Sequence, residues 1–559
     1  MGCSHWWTGI TAVLVATVAS AAQIPPDAGQ LRQEIERSLP SSMPQPKLAP
    51  QAELPPPMTA MTGKVFVQQF RFAGNEALSD ATLQTIVAGW TQRELSFAQL
   101  QEAAAAVGAA YRSAGRVVRA YLPRQEIKDG IVIIQIVEAR FGAVRIEAAP
   151  GARMRPEYLQ GLVESSQAPG QPLQAAALDR ALLLLEELPG VRASGSLQEG
   201  KNQGETEVVV AVAPAPLLGG DASTDNTGSR STGPVRLAVN FQLSSPLSFS
   251  DLATVSAAHT QGSNYGRLAY SVPLGSAGWR AGANVSRMRY RLVSAEFAAL
   301  QASGDSGSAG VELQYPLLRA RQANASLALA WERKDFNNVS GGAVTTRYKV
   351  GVLSAGLSGS ASDAAGSNSG SVTMSSGGLD LDGSPNQSAD AATTRSAGRY
   401  AKLRFSATRN QTLGAHWHGV LQLSGQYASK NLDSSEKFYL GGASGVRAYP
   451  SSEVGGADGV MVNAELRYRV QDALTLSAHA DAGVVRVNHD HGFAGAPKHN
   501  RQGLRGAGLG VAWTPLPGAS IKAVLSHRIG RNPNPAPSGA DQDGTLVRSR
   551  LWLTASMAL

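Results

Sequence analysis

The chain has 559 residues and a formal charge of +8, from 50 Lys and Arg against 42 Asp and Glu. The excess is spread along the sequence without a basic block or interleaved aromatics, which argues against nucleic-acid binding. No internal run approaches the roughly 18 uninterrupted apolar residues of a membrane-spanning helix, and the single cysteine, Cys3, lies at the extreme N-terminus.

Residues 1–21 read as a secretory leader. An apolar core from Ile10 to Val18 runs into an A-x-A site at Ala19-Ser20-Ala21, although no Lys or Arg precedes that core. Its removal would leave a chain without thiols, as suits an oxidising compartment. In residues 22–63, Asp27 is placed to cap a helix over Gln30 to Ser38, and Pro40 ends it. Prolines through position 58 then make an extended, semi-rigid tether. A short polar helix on such a leash has no core of its own, so it must dock elsewhere or float.

From residue 64 the same pattern occurs twice. In 64–139, the alternating run "KVFVQQFRF" leads through a Gly-Asn turn to a helix from about Ser79. Ser96 and Gln99 form a capping box for a second helix reaching Tyr111. The strands "RVVRAYLP" and "IVIIQIVE" follow, joined across Asp129-Gly130. In 140–214, "FGAVRIEA", helices near 155–164 and 174–188, "VRASGSL" and "TEVVVAVAP" repeat the order β-α-α-β-β. Two units of this size suit two small domains.

Residues 215–559 contain no convincing helix, only segments of about 8–11 residues with period-two alternation. Sixteen such segments start near 217, 235, 252, 265, 279, 308, 325, 346, 369, 399, 416, 460, 474, 506, 519 and 548. An even count, long links at about 288–307, 428–459, 485–505 and 529–547, and short links such as "GSAG", "QDA" and "TPLPG" predict a transmembrane β-barrel with loops at one rim and tight turns at the other. A soluble β-sandwich would share the alternation but not the asymmetry of the links. In "HWHGVLQLSGQY", Trp417, Leu421, Leu423 and Tyr427 share one face, and His416, His418, Gln422, Ser424 and Gln426 share the other, lumenal one. His416 with His418, or His489 with His491, would suit a metal, but polar linings and loops carry such residues without one, and the reading is of no metal and no cofactor. The low-complexity run "SGSASDAAGSNSGS" reads as a flexible turn region. No Ser-His-Asp set, P-loop or paired catalytic carboxylates stand in a supporting context, so no enzyme is read.

One long-rim loop is distinctive. In "KFYLGGASGVRAYPSSEVGGADG" a single arginine, Arg447, stands between glycine-rich arms that would let the loop fold back into the lumen. An unpaired cation in a partly dehydrated channel is unfavourable, so a lumenal carboxylate is its natural partner. Alternation turns Asp481 and Glu465 inward. On the residues alone, Arg447 could equally be a solvated loop arginine.

Nearly the whole mature chain resembles one family, the outer-membrane transporters of two-partner (type Vb) secretion, of the haemolysin-activator and filamentous-haemagglutinin transporter (TpsB) type within the Omp85 superfamily. The likeness rests on "PDAGQLRQ", the proline tether, the two β-α-α-β-β units with "YRSAGRVVRAYLP", the sixteen strands and two signatures. The family's sixth loop carries V-R-G-Y/F after "GG", matched by Val446-Arg447-Ala448-Tyr449 with Ala448 in place of glycine. Its x-x-D-x-G strand signature is matched by Ala480-Asp481-Ala482-Gly483. The resemblance implies a mainly β protein of the Gram-negative outer membrane: an N-terminal plug helix, two periplasmic polypeptide-transport-associated (POTRA) domains at 64–139 and 140–214, and a 16-stranded barrel whose sixth loop, 428–459, folds inward. It implies a pore that recognises a partner exoprotein of the TpsA type and moves it to the cell surface without ATP, among outer-membrane lipids and with no nucleic acid. The cargo could be haemolysin, adhesin or contact-dependent toxin. An Omp85-type assembly factor inserting other barrels, and a passive porin or adhesin, are the alternatives; the first usually has more than two POTRA units and the second needs none.

Overall fold

A computed structural model describes residues 25–41, 43–45, 64–202 and 204–559. The expected leader, with Cys3, and most of the proline tether lie outside the described residues.

Helix α1 spans Ala28–Glu36, two residues earlier than the sequence suggests, because Asp27 occupies the N-cap and accepts from the Gln30 amide. The unit that follows contains β1 (Lys64–Val67), β2 (Gln69–Ala73), α2 (Asp80–Val87), β3 (Arg93–Ser96), α3 (Phe97–Ser113), β4 (Val118–Tyr121) and β5 (Ile131–Glu138). The run "KVFVQQFRF" is therefore two strands broken at Gln68. β1 pairs with β3, while β2 pairs in parallel with β5, which also pairs with β4. Ser96 and Gln99 form the reciprocal capping box of α3, and Asp129 and Gly130 both take positive φ in the β4–β5 connection. Phe70, Leu83, Leu95, Val107, Tyr111 and Ile134 form its core. At about 1.5–3 kcal/mol per buried large apolar side chain, such a core can order a unit of this size.

The next unit holds β6 (Arg140–Ala148), α4 (Pro156–Ser166), α5 (Ala175–Glu186), β7 (Val191–Glu199) and β8 (Glu205–Pro214), with sheet order β6-β8-β7 and its own core around Phe141, Leu159, Leu185 and Val210. Gln174 bridges to Arg116 and so ties the second unit to the first, while Pro172 bridges to Arg140 within the second.

The remaining strands are β9 (Leu218–Asp225), β10 (Arg236–Ser244), β11 (Leu252–His259), β12 (Ser263–Leu274), β13 (Trp279–Arg291), β14 (Ser303–Ala320), β15 (Ala323–Ser340), β16 (Ala343–Asp363), β17 (Gly366–Asp380), β18 (Gly398–Thr412) and β19 (Trp417–Ala428). After a small ribbon of β20 (Phe438–Leu440) and β21 (Val454–Gly456) come β22 (Asp458–Gln471), β23 (Leu474–Arg486), β24 (Arg501–Trp513), β25 (Ala519–Arg528) and β26 (Ser549–Ala558). All but β20 and β21 form one closed antiparallel barrel, sealed by β26 pairing with β9. Closure leaves no open edge, which is what a sheet needs in lipid. Leu268, Met374, Leu421 and Leu509 are exposed on its outer face. Trp279 meets Tyr315, and Trp417 meets Tyr468, near the tight-turn rim, the placement of an interfacial aromatic girdle.

The structure corrects several expectations. Strands reach 21 residues in β16, twice the length read from alternation. The Ser-rich run at 358–371 is not a turn region: all but residues 364–365 belong to the paired strands β16 and β17. The chain after 215 does contain a short helix, α6 (Gln387–Ala392), in a long connection, 381–397, between the segments read near 369 and 399, which was not among the long links expected. Two connections at the long-loop rim, 260–262 and 341–342, are tight, and the one expected at 288–307 shrinks to 292–302 because its strands extend further. His416 precedes β19 at the turn rim, where its ring hydrogen-bonds the Arg469 carbonyl rather than lining the lumen.

The second α+β unit is fastened beneath β13–β15. Arg319 donates to both oxygens of Glu187 (2.6 and 3.3 Å), Arg321 to Asp179 (3.0 Å) and Arg180 to the Pro316 carbonyl (2.8 Å).

Candidate functional site

Two separate elements occupy the lumen: the connection between β19 and β22, and helix α1. The connection turns inward at Gly441 and Gly442, whose φ values of 92° and 88° suit glycine. Ala448 does not need that freedom, since its φ is not positive. Its methyl instead sits against Gly506 of β24, where a Cβ would lie 2.5 Å from the Ala448 Cβ. Val446, Ala448 and Tyr449 are fully buried with Leu440, Val485 and Leu504, so an apolar collar surrounds Arg447.

Within that collar Arg447 uses its whole donor fork. Nε and Nη2 donate to the two oxygens of Asp481 (2.9 and 2.8 Å), the backbone N–H donates to Asp481 as well (3.0 Å), and Nη1 donates to Glu465 (2.6 Å). Asn463 donates to both Asp481 Oδ1 and the Gly445 carbonyl (2.9 Å each), and Arg467 donates to the other oxygen of Glu465 (2.7 Å). The Arg447 carbonyl accepts from Trp552 Nε1 at 2.7 Å, and Arg528 lies 4.4 Å from the centre of the Tyr449 ring. The side chain of Asp481 has 0% exposure and that of Arg447 9%, so the pair is withdrawn from water. Bidentate geometry fixes orientation as well as charge.

The structure thus brings Arg447, Asp481 and Glu465 together and packs Val446, Ala448 and Tyr449 around them. It also shows a second anchorage that sequence reasoning missed. Glu436, in the same connection, bonds Lys334 of β15 at 3.1 Å and Lys402 of β18, while its carbonyl accepts from Gln426 at 3.0 Å. The only sequence signal was the inward spacing of Lys402 and Arg404 on β18.

Helix α1 buries Ala28, Leu31 and Ile35 against lumenal Tyr265, Met288, Tyr290 and Phe336. Its Arg32 donates to Glu332 (3.1 Å), the Gly307 carbonyl (3.1 Å) and Ser308 (2.5 Å). On the other side it meets the inward loop. Gln33 donates to the carbonyls of Ser435 and Lys437 (3.2 Å each), and Asp27 accepts from Ser434 (2.6 Å). Gly29 permits this approach, since a Cβ there would stand 2.8 Å from that of Ser435. Among the described residues no cluster of His, Cys, Asp and Glu is arranged to hold a metal.

The sequence compares with known families in the same sense. The family described as haemolysin secretion/activation protein ShlB/FhaC/HecB matches residues 204–513, more than half the chain. The chain belongs to this family. Residues 65–139 match the ShlB-type POTRA domain. Among relatives of the family, the heme/hemopexin transporter protein HuxB of Haemophilus influenzae (strain 86-028NP) is 23% identical over 543 residues, covering 93% of this chain and 94% of its own. The outer membrane transporter CdiB of Dickeya dadantii (strain 3937) is 23% identical over 450 residues, covering 77% and 78%. In fold, the chain is similar to CdiB from Escherichia coli, with a TM-score of 0.66, 18% identity and coverage of 95% of this chain and 96% of that one. It also resembles BamA from Haemophilus ducreyi lacking POTRA domains 1–3, at 0.54, 14% and 88% and 100%. As a member of this transporter family, the chain is an outer-membrane β-barrel with its POTRA region in the periplasm, and its partner is a secreted exoprotein.

Proposed function

We propose that the chain moves a TpsA-type exoprotein, unfolded, from the periplasm through its own lumen to the cell surface. The observation that carries this reading is the way the lumen is filled. Helix α1 and the inward loop meet the wall through hydrogen bonds, ion pairs and a modest apolar patch, with no covalent tie. Such contacts can be exchanged for others, so these elements act as a removable closure at rest. The unit at 140–214 acts as a second POTRA domain, and the pair captures the exoprotein by adding a strand to a free sheet edge; β7, exposed along most of its length, is suited to this. Arg447 holds the loop in one position through Asp481 and Glu465. The outward apolar face meets outer-membrane lipid, and the protein acts without catalysis, with export driven by folding of the cargo outside.

The test is deletion of residues 64–139 in cells that make the partner exoprotein. Export should cease while the barrel keeps its heat-modifiable mobility on gels. Undiminished export would overturn the reading.

A further inference from the structure

Among the described residues, the lumen has one wall to which neither α1 nor the inward loop hydrogen-bonds, although α1 borders its upper part. On β16, β17 and β18, lipid-facing Leu353, Leu357, Val372, Met374 and Leu403 set the phase of alternation. The inward positions 354–362 of β16, 367–375 of β17 and 406–410 of β18 are then all Ser, Thr, Gly or Asn. Asn324 and Ser326 of β15 extend the surface on one side. Below the level of Lys402 and Arg404 no ionisable side chain points inward on these three strands. The wall borders a cavity of about 300 Å³ at the tight-turn end of the barrel, and Gln45 of the segment following α1 lies against it. The Ser-rich run that looked like a turn is the middle of this surface.

We infer that this hydroxyl wall is the track on which an exported polypeptide slides, an inference that rests on the transport reading above. An unfolded chain presents a backbone N–H and C=O at nearly every residue, and these need partners wherever water is scarce. A serine or threonine hydroxyl rotates to donate or accept, so it can serve any sequence in any register. The wall's own bonds join uncharged groups, such as the hydroxyls of Ser354 and Ser375 at 2.9 Å and of Ser371 and Ser406 at 2.8 Å, and the Asn410 amide with Ser367 at 3.3 Å, and these can be exchanged for bonds to a passing backbone without leaving a buried charge uncompensated. A wall bearing arginines and carboxylates would instead grip oppositely charged side chains and halt them. Gln45 shows that ordinary polypeptide already fits against the surface. The occupant is therefore extended polypeptide, recognised by its backbone and not by its side chains.

Because the chain's single cysteine, Cys3, lies far in sequence from the barrel strands, disulfide trapping reads out the path directly. The probe is the partner exoprotein, fused to a stably folded domain too wide for the barrel and carrying single cysteines along the arrested span. The full-length transporter carries Ser360→Cys or Ser371→Cys on the wall, or Gln242→Cys or Ser223→Cys on the facing strands β10 and β9. The wall positions should capture the probe several-fold more than the facing ones, whichever probe cysteine is used. Equal or greater capture at 242 and 223 overturns the track while leaving transport intact. If the probe's leading end never reaches the surface, the transport reading fails and takes the track with it. A second variant pair works without trapping: Ser360→Lys with Ser371→Lys should slow export of the unfused exoprotein several-fold while the barrel stays heat-modifiable, and Gln242→Lys should not. Unchanged export by the wall variant also overturns the track.

Discussion

The two sides of the lumen follow opposite chemistry. Around β22, β23 and β26, Arg447, Asp481, Glu465, Arg467 and Trp552 form a connected set of ion pairs and hydrogen bonds. Across β16–β18 below the level of Lys402 and Arg404, the inward residues are hydroxyls, glycines and Asn410, without a fixed charge. Buried ion pairs are costly to desolvate and give little net stability, but they specify geometry. Rotatable hydroxyls specify almost none. The difference teaches that the barrel separates holding from conducting: the loop that must return to one place is held by charged groups, on β22 and β23 and through Glu436 on β15 and β18, and the open hydroxyl surface lies below them toward the turn rim.

The largest expected effect comes from removing the element that fills the space between the two sides. Deletion of residues 27–39 takes away α1 with its Arg32 contacts and should raise ion conductance in planar bilayers, with the barrel still folded. Unchanged conductance with verified insertion would mean that α1 does not block the lumen. A paired substitution compares the two chemistries, fixed charge and free hydroxyl. Glu436→Gln removes the carboxylate facing buried Lys334 and Lys402, and breaking a buried pair on one side costs about 3–5 kcal/mol. Proteolysis of the 429–457 connection in intact barrels should accelerate accordingly. Ser371→Ala should change the same rate little, since a substitution away from fixed networks usually falls within about 0.5 kcal/mol. Equal effects from the two variants would erase the distinction.

The smallest effect is a pH dependence at the outer rim. Glu453, in the inward loop, accepts from Asn532 (2.5 Å) and from the Gln542 amide (2.9 Å) of the β25–β26 connection. Burial pushes its carboxyl up to about 8. A raised carboxyl pKa means that the docked state holds a proton the undocked state releases, so docking is strongest below the free pKa of about 4.3. It should weaken as pH rises toward 8 and level off above. Hydrogen exchange across residues 532–545 should therefore quicken between pH 5 and pH 8 by more than its intrinsic rate. Glu453→Gln should remove that excess, and an excess that survives the substitution would rule out Glu453 as its source.

The barrel was legible because side-chain alternation and link length are local signals. The same phase that set Leu421 and Leu423 outward set Asp481 and Glu465 inward, so the partners of Arg447 could be named from spacing. What was not legible depends on contacts distant in sequence. Glu436 lies in an aperiodic loop, and its partner Lys334 lies 102 residues away. The serine wall was mistaken for a turn because Ser and Gly have weak strand preference; ladder pairing with β15 and β18 imposes the strand. Helix α1 was foreseeable from its Asp27 cap, but its seat needed the apolar lumenal patch of Tyr265, Met288 and Phe336, drawn from three strands.

The central claim is that Arg447 and Asp481 act as one contact that fixes the loop's position and does little for barrel stability. The measurement is a double-mutant cycle on exoprotein export with Arg447→Ala, Asp481→Ala and the double variant, each checked for heat-modifiable mobility. The account predicts folded barrels throughout, a sharp loss of export in each single variant, and a double variant no worse than either. The coupling should fall in the range of about 0.5–3 kcal/mol typical of residues in direct contact. Additive losses, or wild-type export by Arg447→Ala, would contradict it.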